Sequence, residues 1–99
     1  MKITQNKVNE ILKISLEGKL DTTTASQLQA DLSDVFINVK EVHLDFTHLV
    51  YISSAGLRVL LILEKQSKSS GIPMIISGLS QELLEIFSIT GFDKILRIE

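Results

Sequence analysis

The stretch Tyr51-Ile52-Ser53-Ser54-Ala55-Gly56-Leu57 joins an apolar strand to an apolar helix through two serines. Upstream of it, Val42, Leu44 and Phe46 alternate with polar residues, the period of two that suits a strand with one buried face, and Thr47 to Ile52 carry the chain to the junction. Downstream, Ala55, Leu57, Leu60, Leu61 and Glu64 keep helical spacing. Val59, Ile62 and Leu63 widen the apolar stripe until Lys65, Lys68 and Gly71 signal a C-terminus. Ser54 stands where the helix N-cap is expected. Its side-chain oxygen can accept from the first free amides, and a phosphate there would meet the positive end of the helix dipole.

Working outward, Leu12, Ile14 and Leu16 form another alternating strand, closed by Gly18 and paired with a shorter one around Ile3. Asp21-Thr22-Thr23-Thr24 offers N-caps for a first amphipathic helix carrying Ala25, Leu28, Leu32, Val35 and Phe36. Pro73-Met74-Ile75-Ile76-Ser77 is a short apolar run with its proline tolerable only at the start or on an edge, and it reads as a buried parallel strand. Ser80 caps a helix of Leu83, Leu84, Ile86 and Phe87 that ends at Gly91, and Ile95, Leu96 and Ile98 supply a last strand. The order is β, β, α, β, α, β, α, β, an α/β arrangement in which right-handed crossovers place the later helices on one face of a mixed sheet.

At 99 residues and 44% apolar the chain supports one compact core and is too short for two ordinary domains, so 1–99 reads as a single domain. A net charge of −2 with scattered lysines leaves no basic stripe for nucleic acid. The absence of cysteine removes disulfides, thiolate catalysis and zinc ribbons, and fits a reducing cytoplasm. The N-terminus lacks an apolar signal core, and the longest strongly apolar run, Val59 to Leu63, is too short for membrane insertion.

Three segments also carry a resemblance: Gly18-Lys19-Leu20-Asp21, Ser53-Ser54-Ala55-Gly56-Leu57, and Ile86-Phe87-Ser88-Ile89-Thr90-Gly91-Phe92-Asp93-Lys94-Ile95. From about Ile3 to Ile98 the chain resembles the bacterial STAS domain, more narrowly its stand-alone anti-sigma factor antagonists. The resemblance implies a mixed four- to five-stranded sheet with three to four helices packed mainly on one face. In that family an Asp-Ser-Ser/Thr-Gly-Leu motif carries a serine that a partner kinase phosphorylates, and the acceptor position corresponds to Ser54. The implied function is partner switching in transcription regulation: the unphosphorylated protein binds an anti-sigma factor serine kinase and frees a sigma factor, and a serine phosphatase resets the phosphoprotein. Asp21 and Thr22, with Ser53, Ser54, Ala55, Gly56, Leu57 and Arg58, would form the partner surface of a cytoplasmic monomer or weak homodimer. Ser53 replaces the motif's aspartate and Ala55 its second hydroxyl residue.

A constitutive STAS subunit of a larger complex, such as a lipid-transport ATPase, is the alternative, with Ser54 unmodified. Asp45, His48 and Ser54 could imitate an acid, base and nucleophile, yet there is no G-x-S-x-G elbow, and the chain reads as a regulator rather than an enzyme. His43 and His48 lack a third ligand at metal spacing, so neither a metal nor a cofactor is expected. With no Gly-rich loop followed by lysine, the ATP used in phosphorylation must be bound mainly by the kinase.

Overall fold

The computed structural model describes residues 1–99. Five strands, β1 (Lys2–Val8), β2 (Ile11–Leu20), β3 (Glu41–Ile52), β4 (Met74–Ser77) and β5 (Arg97–Ile98), lie in the order β1-β2-β3-β4-β5. Helices α1 (Thr22–Asp31), α2 (Ser54–Ser70) and α3 (Gln81–Thr90) connect them, with a 3-10 turn at Phe92–Lys94 before the last strand. β1 and β2 are antiparallel, joined by a two-residue turn in which Asn9 and Glu10 both have positive φ, the backbone that matches strand twist. The other pairings are parallel, as expected for strands linked through helices.

One face of the sheet is dry and the other wet. Leu12, Ile14 and Leu16 of β2, Val42, Leu44 and Phe46 of β3, and Met74 and Ile76 of β4 meet Leu28 of α1, Leu57, Leu60 and Leu63 of α2, and Leu83 and Phe87 of α3 in one core. The alternate positions, Lys13, Ser15 and Glu17 on β2 and His43 and Asp45 on β3, keep contact with solvent, where Lys13 and Asp45 pair at 3.8 Å. Ile75 is the apolar exception, buried in register between His43 and Arg97.

Some local expectations are corrected. The second strand does not close at Gly18: that residue takes φ +105° inside β2, next to register shifts against β3, and the strand runs on to Leu20. Thr47 to Ile52 continue β3, which runs straight up to the serine junction. The first helix stops at Asp31, and Leu32, Val35 and Phe36 are buried from irregular turns instead. Ser33 and Asp34, which compete with the backbone for hydrogen bonds, follow at once, and spaced apolar side chains can reach a core from turns as well as from a helix. The final strand is shorter than expected, since Ile95 belongs to the exit from the 3-10 turn.

Glycine punctuation behaves as read: Gly71 and Gly91 end α2 and α3 with φ +70° and +79°. The end of α2 is further tied by the buried Ser67 hydroxyl, which donates to the Ile72 carbonyl. Next to it, Glu64 is 6% exposed, and burial pushes its carboxyl above the ordinary range, with Lys68 one turn on acting in the opposite direction. The folded state therefore holds the Glu64 proton more tightly than the unfolded chain, and stability falls as pH rises from the ordinary carboxylate range through the raised value. Glu64→Gln removes that loss. Thermal melts between pH 3.5 and 8 are expected to show the variant gaining on the wild type as pH increases, whereas parallel curves would place Glu64 in water.

Candidate functional site

The site is built by strand register. Leu20 and Ile52 are partners on β2 and β3, so the residues that follow them, Asp21 and Ser53, emerge side by side at the C-terminal ends of these two interior strands. Each is a helix N-cap. The Asp21 carboxylate accepts from the amides of Thr23 and Thr24 at 3.1 and 3.0 Å, while Thr24 Oγ1 accepts from the Asp21 amide at 2.8 Å, closing a capping box. Chiefly the bond from the Thr24 amide, helped by that from the Thr23 amide, holds the Asp21 carboxyl below its ordinary range. Thr24 Oγ1 also donates to the Lys19 carbonyl at 2.7 Å, stitching the box to the end of β2.

On the neighbouring helix, the cap is Ser53 and not Ser54. Ser53 Oγ accepts from the Gly56 amide at 3.3 Å, the Ser53 carbonyl accepts from the Leu57 amide at 3.0 Å, and the Ser53 amide donates to the Leu20 carbonyl at 2.9 Å. The physical reason is the length of β3: the strand runs to Ile52, so the first non-helical residue with a hydroxyl is Ser53, and Ser54 becomes the first residue of the helix. Ser53 thus does as a cap what the family motif's aspartate could do in the same place. Ser54, relieved of capping, is exposed. Ser53→Ala is expected to destabilise the fold by about 1 kcal/mol, and Ser54→Ala to leave it within about 0.5 kcal/mol, in urea titrations of the two variants; the reverse ranking would restore Ser54 as the cap.

The start of α2 is pressed onto the end of β2 at Gly56, where an added Cβ would stand 2.7 Å from Leu20 Cγ and 3.0 Å from the Leu20 carbonyl oxygen. Gly56 and Leu57 are both buried, so they set the height of the helix start rather than offer side chains to a partner. The exposed members of the expected partner surface are Thr22, Ser54 and Arg58, with Asp21, Ser53 and Ala55 partly covered. Between α1 and α2 runs a shallow groove lined by Thr22, Ala25, Ser26 and Gln29 on one side and by Ala55, Arg58, Val59 and Ile62 on the other. Ser26 and Gln29 were not singled out in the sequence; their helical spacing from Thr22 is the signal that finds them.

The serine, histidine and aspartate considered as a triad are not assembled. Asp45 is occupied by the Thr47 hydroxyl at 2.5 Å and the Thr47 amide at 3.0 Å, which hold its carboxyl below the ordinary range. His48 lies opposite Glu17 on β3, with the rest of the strand, at about 3.3 Å per residue, between it and Ser54. His43 faces Glu41 at 3.2 Å, and no three of His, Asp or Glu gather as metal ligands. No helix is long and apolar enough to cross a membrane.

A mixed five-stranded sheet backed by helices on one face, with two capped helix starts and an exposed serine beyond the end of its central strands, is the architecture of the STAS domain, whose family pattern matches residues 2–99. The chain belongs to that family. It is 36% identical over 99 residues to BtrV of Bordetella bronchiseptica, provisionally named an anti-sigma factor antagonist, covering 99% of this chain and 85% of BtrV. It is 31% identical over 91 residues to the anti-sigma-B factor antagonist of Listeria monocytogenes, covering 89% of this chain and 78% of that one. The unphosphorylated form of the anti-sigma factor antagonist SpoIIAA shares the fold with a TM-score of 0.76 at 19% identity, over 99% of this chain and 87% of SpoIIAA.

Proposed function

We propose that this chain is a cytoplasmic anti-sigma factor antagonist that binds an anti-sigma factor serine kinase and is switched off by phosphorylation of Ser54. The observation that carries the reading is the placement of Ser54: an exposed hydroxyl at the first turn of α2, free of the capping role, beside the Asp21 cap and the α1/α2 groove. Its relatives' names supply the antagonist role.

In the proposed step Ser54 Oγ attacks the γ-phosphorus of a nucleoside triphosphate held by the kinase. The bond from that phosphorus to the bridging oxygen breaks, the nucleoside diphosphate leaves, and the hydroxyl proton passes to a base on the kinase. A serine phosphatase reverses the modification by hydrolysis. The chain itself acts as a binding module with no turnover of its own. It needs no change of fold to switch, because a phosphate at a helix start meets favourable dipole and amides. SpoIIAA, of the same fold, has been solved in unphosphorylated and phosphorylated forms.

The test is intact mass and peptide mapping of the protein recovered from its native cells, with and without the partner kinase. Phosphate on Ser54 that disappears with the kinase, and fails to form on Ser54→Ala, is the expected result. Serine at position 53, where the family motif has an acid, favours one second reading, a constitutive binding subunit of a larger complex. Ser54 unmodified under every condition would select it.

A further inference from the structure

We infer that Arg58 is the internal partner of the phosphate on Ser54, so that phosphorylation withdraws a cation from the docking surface as well as adding an anion to it. The inference rests on the phosphorylation reading above. Ser54 and Arg58 are four residues apart on α2, the spacing at which side chains lie over one another on a helix, and both are exposed. Arg58 is uncommitted: the ion pairs of the protein engage Lys2, Lys13, Lys40 and His43, and none engages Arg58. No acid stands in the first turn of α2 to compete for it. The one carboxylate on the adjacent helix start, Asp21, is already held by the Thr23 and Thr24 amides.

A guanidinium presents two parallel N–H donors that match two phosphate oxygens, and it stays charged at any working pH. In the unmodified protein Arg58, lining the α1/α2 groove, is free to meet an acidic group on a partner. Once Ser54 carries phosphate, the guanidinium turns back along the helix to it.

The test uses the full chain with phosphoserine installed at position 54 during translation, so that no kinase is involved, and follows the phosphate by phosphorus NMR across its second ionisation. Arg58 is expected to lower that pKa by about half a unit relative to Arg58→Gln. Arg58→Lys should keep part of the shift, and Lys65→Gln, far along the same helix, all of it. The difference should collapse in 1 M salt, where the screening length is about 3 Å. Equal phosphate pKa values in the wild type and Arg58→Gln overturn the inference. A chain whose Ser54 no kinase modifies in cells would instead defeat the phosphorylation reading while leaving this titration difference in place.

Discussion

Under the proposed switch, protein carrying phosphate on Ser54 is expected to bind an anti-sigma factor kinase at least about a hundredfold more weakly than the unmodified protein, with Ser54→Ala binding as tightly as wild type. The magnitude follows from charge burial. Phosphorylation adds about −1.5 to −2 charges to an atom that a partner packed over the helix start must cover. Arg58 offsets at most one of those charges, the excess taken out of water still costs several kcal/mol after relaxation, and every 1.4 kcal/mol is a factor of ten in affinity. The protein's own fold is spared, because the added charge lies at the helix end that favours it. Calorimetric titration of the kinase with the three forms, alongside their melting curves, separates the two effects: affinity should fall with the melting temperature unchanged or slightly raised. Equal affinity for all three forms would remove Ser54 from the switch.

Gly78→Ala is expected to cost about 3 kcal/mol. Gly78 has φ +77°, a conformation that costs an alanine about 1 to 2 kcal/mol. It also lies tight against the Asp45–Thr47 stretch of β3, so an added Cβ would meet the Thr47 hydroxyl, stand 2.8 Å from the Thr47 amide nitrogen and 2.9 Å from Asp45 Oδ1. Forcing a group into packed surroundings costs about 1 to 3 kcal/mol more. The atoms in the way are the same ones that form the Asp45–Thr47 turn, so relief would have to come from breaking those hydrogen bonds or displacing backbone. Gly91→Ala is the matched control: φ is +79°, but no neighbour lies within 4 Å of the added carbon, and only the conformational cost of about 1 to 2 kcal/mol applies. At about 4 to 8 °C per kcal/mol for a chain of this size, the first variant should melt more than ten degrees below wild type and clearly below the second. Equal melting temperatures would show that Gly78 is held by its φ alone.

Much of the architecture was legible because its causes are local. Alternation at Leu12, Ile14 and Leu16 and at Val42, Leu44 and Phe46 reports a buried sheet face whichever strand lies alongside. Ser80 as a cap, and Gly71 and Gly91 as left-handed helix ends, depend on a few neighbouring residues and were found where the structure has them. The serine junction was legible for the same reason. The division of labour between Ser53 and Ser54 was not, since it depends on how far β3 remains paired with β2, and that pairing joins residues some thirty positions apart. The end of α1 is not legible at Leu32, Val35 and Phe36, because burial at helical spacing is a property of the side chains and does not require the backbone to be helical.

By itself, then, the sequence determined the number and order of elements, the faces that are apolar and the position of a serine at a helix start, all set by patterns within one or two turns or strands. The tertiary structure alone decided that Asp21 and Ser53 stand together, that Ser26, Gln29, Val59 and Ile62 share a groove with Arg58, and that Gly78 must be glycine. Those are consequences of register and close packing between distant segments, and no local propensity carries them.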